Sequence, residues 1–173
     1  MTRRIVVTGS ECTGKTTIAR TLADQLGAPW LPEASRAYAE WRRREGRALT
    51  RDDVEPIARA AIAAEDAMLG TAPAQLVLDT DLLSTVVYAR HYYGACPAWI
   101  EREARTRRGA VYLLCAPDVA WVADGVRDRP EAREEMHARF RAALEEFGAD
   151  VAGVHGLGAE RERAALAAAS PSS

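Results

Sequence analysis

A chain of 173 residues is the length of one domain and can bury an apolar core. Its formal net charge of −2, with 28% of residues charged, excludes a protein that holds a polyanion by bulk charge, and no apolar run approaches the roughly 18 residues that a membrane span needs. The N-terminus passes from "MTRR" straight into a strand pattern rather than a leader peptide, and Cys12, Cys96 and Cys115 suit neither a disulfide framework nor a zinc site, so the expected setting is a reducing cytoplasm.

Short β-branched runs alternate with longer amphipathic stretches. "IVVTG" (5–9) predicts a buried strand, and "KTTIARTLADQL" (15–26) a helix with Ile18, Leu22 and Leu26 on one face, capped by Gly27. "APWLPE" (28–33) predicts a short second strand. Residues 34–49 read as a charged helix with a break at Gly46, and 54–69 as an alanine-rich helix with Pro56 near its first turn. "QLVLDTD" (75–81) is a third strand leading into a helix over 82–94. A helix over 97–108 and the strand "AVYLLC" (110–115) follow. Pro117 and Asp118 are expected to open a short helix broken at Gly125, and 118–133 to form a small lid. A helix over 131–147, a weak strand over 149–154 and a last helix over 159–169 complete the chain.

Strands separated by helices imply βαβ units, hence a five-stranded parallel sheet flanked by helices on both faces, in one domain over 1–173. In such sheets ligands lie beyond the carboxyl ends of the strands. The residues that follow each strand are therefore the candidates.

The first candidate is the loop Gly9-Ser10-Glu11-Cys12-Thr13-Gly14-Lys15-Thr16, followed by Thr17. It matches the phosphate-loop pattern and sits between a predicted strand and a predicted helix, which makes the expected architecture a P-loop NTPase fold. Its glycines let the backbone curl until successive N–H groups converge on a phosphate at a helix N-terminus. Lys15 is the chain's only lysine against 22 arginines. A compact ammonium on a flexible stem fits between the terminal phosphates of ATP, where a planar guanidinium would need different geometry. Thr16 offers a hydroxyl to Mg²⁺, and Asp79, ending an apolar strand, is the expected carboxylate near that metal. Asp81 lies two residues on, so that both carboxylates are expected to face the phosphate end, with Asp81 serving as helix cap and ligand together.

On the acceptor side, Glu33 ends the second strand and Arg36 follows one helical turn later. A carboxylate there can orient a hydroxyl and take its proton, and an arginine can steady phosphate or substrate. The residues leave open whether Glu33 or Asp81 is the base. Trp30 and the helical pair Tyr88 and Tyr92 are the aromatic residues best placed to stack on a flat acceptor ring, and aromatic faces with carboxylates would suit a cationic one. In "DGVRDRPEAR", Arg127, then Arg129, with Arg133 nearby, are expected to reach the transferring phosphoryl group from the lid.

A GTPase needs an Asn-Lys-x-Asp signature, and this chain has no asparagine and no spare lysine. An oligomeric motor needs more chain than 173 residues supply. "WRRREGR" is the only concentrated basic patch and no aromatic ladder interleaves it, which argues against nucleic acid. A kinase of a small, nucleoside-like acceptor remains, using ATP and Mg²⁺. Its rivals are a kinase of another nucleoside or vitamin-like metabolite and a non-catalytic module that senses ATP or NAD. Oligomeric state is left open.

Four blocks in this order, "GSECTGKTTIARTLA", "LPEASR", "LDTDLLSTVVYARHYYG" and "WVADGVR", resemble the ribosylnicotinamide kinase domain of the bacterial NadR-type proteins. The resemblance covers most of the chain and is weakest over 37–74. It implies phosphorylation of the 5′-hydroxyl of nicotinamide riboside to give nicotinamide mononucleotide, a lid role for Asp124 and Arg127, and nucleoside contact near Trp30, Glu33 and Asp81. The fused proteins of that family carry an adenylyltransferase domain before the kinase, whereas this chain begins at the kinase's first strand. Their bifunctional and repressor roles are not expected here.

Overall fold

The computed structural model describes residues 1–119 and 132–170. Five strands, β1 (Arg3–Thr8), β2 (Trp30–Leu31), β3 (Gln75–Asp79), β4 (Val111–Cys115) and β5 (Val151–Val154), form one sheet in the order β2-β3-β1-β4-β5, every pair parallel. Among the described residues seven helices connect or follow them: α1 (Lys15–Leu26), α2 (Ala34–Arg44), α3 (Val54–Leu69), α4 (Leu82–Tyr93), α5 (Ala98–Thr106), α6 (Ala132–Glu146) and α7 (Gly158–Ala169). The three central strands read as continuous apolar runs because both of their faces are covered.

The two-residue alternation of the strands divides the core. Ile5, Val7, Val77 and Leu113 face α1 and α7, where Ile18, Leu22, Ala165 and Ala169 cover them. Val6, Leu76, Leu78, Tyr112 and Leu114 face the other layer and pack on Val54 and Ala58 of α3, Leu83 and Val87 of α4, and Phe140 and Leu144 of α6. Burial on this scale, at about 25 cal/mol per Å² of apolar surface, is what holds the layers together. Helix α2 is the exception, with no buried residue of its own.

The predicted strands and helices fall where the pattern puts them, with differences at ends. The charged helix closes at Arg44 rather than running to 49, because Gly46 takes a left-handed φ of 68° after the Glu45 turn. A single 3₁₀ turn (Arg51–Asp53) then leads into α3. Pro117 to Val119 form a turn; the remainder of the predicted short helix and lid, including Asp124, Arg127 and Arg129, lies outside the described residues.

Candidate active site

β1 ends at Thr8, and the chain turns through Gly9 to Gly14 into α1. Gly9 has a φ of 137°, and a Cβ there would stand 2.8 Å from the carbonyl oxygen of Cys115 at the end of β4, so no other residue fits. Cys12 (φ 52°) and Gly14 (φ 75°) are left-handed as well, which is how the loop curls back on itself. Side chains fix the curl from within. The Thr13 hydroxyl donates to the Ser10 carbonyl at 2.8 Å, and the Lys15 Nζ donates to the same carbonyl at 2.7 Å. The ammonium thus lies folded over the loop, poised on a weak neutral acceptor.

Thr16, in the first turn of α1, donates its hydroxyl to Asp79 Oδ2 at 2.5 Å. Asp79 is 2% exposed, and its other oxygen, Oδ1, is buried with no partner among the described residues. Burial pushes its carboxyl above the usual range and the nearby Glu33 adds to this, while the Thr16 hydrogen bond, Lys15 and Arg36 work the other way. A buried carboxylate with one idle oxygen beside a hydroxyl is an oxygen-only donor set, which fits a magnesium ion that keeps most of its waters. No cluster of three or more His, Cys, Asp or Glu side chains that could hold a metal ion occurs among the described residues.

One open cleft of about 220 Å³ joins the cradle to the residues at the start of α2. It is lined by Cys12 to Thr17 and by Glu33 and Arg36. Glu33 immediately precedes α2; it accepts from the Ser35 hydroxyl and lies 4.0 Å from the Arg36 guanidinium. The structure therefore brings Glu33 and Arg36 to the phosphate cradle across a single cavity. Because α2 is not anchored by core residues, polar contacts place it. The Tyr38 hydroxyl donates to Asp53 Oδ1 at 2.9 Å and Arg42 approaches Oδ2 at 3.2 Å, while the Thr50 N–H and hydroxyl hold Oδ2 at 2.8 and 3.0 Å. Burial works to raise the Asp53 carboxyl, yet these hydrogen bonds and the Arg42 charge outweigh it and hold it below its ordinary value.

Asp81 does not join Asp79. Thr80 between them has a φ of 64°, a left-handed conformation that breaks the strand's alternation, and its N–H closes onto the Val7 carbonyl at 2.8 Å. The two carboxylates consequently leave on opposite faces of the sheet. Asp81 caps α4 by accepting from the Leu83 N–H at 3.1 Å and accepts the Tyr112 hydroxyl at 2.5 Å. Desolvation pushes its carboxyl up to about 6. The expected capping role holds; the expected position at the phosphate end does not. Asp81 instead lines a second, small cavity of about 20 Å³, bounded by Leu31, Pro32, Ser35, Leu78, Ser84 and the buried Glu65 of α3. Glu65, held by Arg4 at 2.6 Å, carried no signal in its alanine-rich helix.

The aromatic expectations also change. Trp30 projects to the α1 side, where the Arg20 guanidinium covers its ring at 4.6 Å, so it packs against the cluster beneath α1 and lines neither cavity. Tyr88 and Tyr92 stack on each other along α4, and Tyr88 meets Phe140 edge-on; neither lines either cavity. They stand two and three helical turns past Asp81, at roughly 1.5 Å per residue too far along the axis to reach it. Arg133 ties the turn after β4, donating to the carbonyls of Pro117 and Val119 at 2.9 and 2.8 Å.

The model of the AAA domain family matches residues 4–161. The chain belongs to that family. No curated protein matches the sequence of this AAA domain. Among solved structures, a NadR protein in complex with NR (nicotinamide riboside) is 27% identical with a TM-score of 0.74, over 96% of this chain and 48% of its own. A NadR protein in complex with NAD and AMP-PNP is 26% identical with the same coverage and TM-score. The chain thus spans about half the length of those two proteins. Thymidylate kinase from Ehrlichia chaffeensis, 13% identical with a TM-score of 0.63 over 96% of both chains, shares the fold. The AAA domain therefore has a P-loop kinase fold resembling NadR, and the resemblance read from its four sequence blocks is met by its structural neighbours. Among the described residues no helix is long and apolar enough to cross a membrane.

Proposed function

We propose that this AAA domain is a phosphotransferase that moves the γ-phosphoryl group of ATP to the 5′-hydroxyl of a nucleoside-like acceptor, nicotinamide riboside first. The observation that carries the reading is the shared cleft, in which the Lys15 loop and Thr16, itself bonded to the buried Asp79, face Glu33 and Arg36. The likeness to NadR, over nearly the whole of this chain, supports the choice of acceptor.

The loop N–H groups and the α1 N-terminus receive the triphosphate. Lys15 exchanges the Ser10 carbonyl for oxygens of the terminal phosphates, a stronger, charge-assisted partner. Thr16 and Asp79 would hold Mg²⁺, which supplies charge neutralisation when bound. Glu33 orients the acceptor hydroxyl and takes its proton as the oxygen–phosphorus bond forms and the bond to the ADP oxygen breaks, leaving the electron pair on ADP. Glu33, which lines the cleft beside Lys15 and Thr16, suits a base better than Asp81, which lies outside that cleft with both oxygens engaged by protein donors. Arg127 and Arg129, from the segment after β4, are proposed to meet the phosphoryl group, and Asp124 the acceptor.

The test is a panel of acceptors with ATP consumption and product mass as readouts. Nicotinamide riboside should stimulate turnover and yield a product heavier by one phosphoryl group. Stimulation by another nucleoside or a vitamin alone would replace the acceptor, and tight nucleotide binding without phosphoryl transfer to any compound would overturn the enzyme.

A further inference from the structure

The most deeply placed cation near the cradle belongs to the helix farthest from it in sequence. Arg161, in the first turn of α7, is 3% exposed. Its guanidinium donates through Nη2 to the Thr13 carbonyl at 2.9 Å and the Ala116 carbonyl at 2.8 Å, and through Nη1 to the Gly156 carbonyl at 3.0 Å. These three carbonyls come from the phosphate loop, the exit of β4 and the exit of β5. Asp118 supplies a counter-charge 3.7 Å from Nη1 and accepts the Gly156 N–H at 2.8 Å. Leaving a guanidinium unpaired at such depth would be costly, so its partners determine what it is for.

The Thr13 contact has a geometric consequence. In a planar trans peptide the carbonyl and the following N–H point in opposite directions. Arg161, which does not line the cleft, holds the Thr13 carbonyl, so the Gly14 N–H points the other way from it. Gly14 is the left-handed residue that starts α1, and its own carbonyl takes the first helical hydrogen bond, from the Ile18 N–H at 3.1 Å. An isolated loop with a glycine here could flip that peptide and present a carbonyl to the phosphates, which would repel them.

We infer that Arg161 is a positioning residue for the phosphate cradle: it sets the Thr13–Gly14 peptide so that the Gly14 amide donates into the cleft, and it places a buried positive charge behind the bound phosphates without touching them. The planar fork matters, since three carbonyls in three directions exceed what one ammonium satisfies in fixed geometry. The inference rests on the phosphate-loop reading above.

The test measures binding of AMP-PNP with Mg²⁺ by calorimetry, beside thermal unfolding, for the unaltered chain, Arg161→Gln and Arg161→Lys. Arg161→Gln should weaken binding about tenfold or more at a temperature where it is fully folded, and Arg161→Lys should restore part of the loss. A folded Arg161→Gln that binds as tightly as the unaltered chain, with only its melting temperature lowered, assigns the residue to stapling α7 and overturns the inference. Failure of the unaltered chain to bind overturns the phosphate-loop reading instead. If the variants do not fold, nitrogen-15 spectra of the unaltered chain decide: nucleotide should shift the Gly14 amide and the Arg161 guanidinium together, and a Gly14 shift with the guanidinium unmoved rejects the coupling.

Discussion

The two sides of the cleft are built on different principles. The phosphate side is over-determined: backbone curvature, a glycine that no other residue can replace, two bonds to the Ser10 carbonyl and a buried guanidinium all specify the same loop. The acceptor side rests on α2, which buries no residue and is held by the hydroxyl of Tyr38 and the charge of Arg42 on Asp53. A group common to every nucleoside triphosphate can be gripped by rigid backbone. On the proposed reading, the acceptor, which differs from kinase to kinase, would be met by side chains on an element with little packing to constrain it. The contrast predicts that cradle variants change nucleotide affinity and chemistry at constant fold, whereas acceptor-side variants change acceptor KM or kcat at constant nucleotide affinity.

The sharpest break is Lys15→Ala. Turnover should fall by about a thousandfold or more, since the charge that balances the transferring phosphoryl group is gone, while the circular dichroism and melting temperature stay close to the unaltered chain's. Comparable kcat in that variant would dissolve the contrast at its firm end. Glu33→Gln comes next: loss of the base should lower kcat by about a hundredfold or more with AMP-PNP affinity unchanged. A drop in nucleotide affinity instead would mean that Glu33 belongs to the cradle.

Tyr38→Phe removes one hydrogen bond to the buried Asp53 and should loosen α2 by about 1–2 kcal/mol, read as a several-fold rise in acceptor KM with nucleotide Kd intact. The smallest effect concerns two aspartates with opposite signs. Asp53 is held below its unfolded value, so its contribution is present above that value and is lost as pH falls through the folded one. Asp81 is raised from 3.8 to about 6, so its contribution is full below pH 4 and is lost as pH rises through 6. Asp81→Asn, which keeps a good helix cap, should therefore flatten the decline of melting temperature between pH 4 and 6. An unchanged slope would show that Asp81 does not carry it.

How far the sequence reaches follows the same division. The phosphate loop was legible because spacing alone encodes it, and the five strands because buried parallel strands are unbroken β-branched runs. Asp79 followed from the end of one such run. The divergence of Asp81 was not legible, since nothing in "DTD" announces that Thr80 turns left-handed. Trp30, Tyr88 and Tyr92 were placed by nearness in sequence, and the face on which each side chain emerges is decided by register and helix phase. Glu65 and Asp53 sit in stretches whose composition reads as solvated helix; the Thr50 to Asp53 capping spacing was the available sign for the second. Arg161 also had a sign: it shares a stripe with Ala165 and Ala169 at intervals of four, and small residues on that stripe mark the buried face.

The bareness of α2 has a thermodynamic corollary. Heat capacity changes in proportion to the apolar surface exposed to water, and a helix that contributes none of its residues to the core exposes little when it lifts. Detachment of α2 would thus leave scarcely a trace in a calorimetric scan and would show no strong curvature with temperature. It would respond instead to loss of the polar contacts on Asp53, which are too buried for salt to screen strongly. Capture of the proposed acceptor is expected to depend on those contacts and to be nearly indifferent to warming, until the sheet itself gives way.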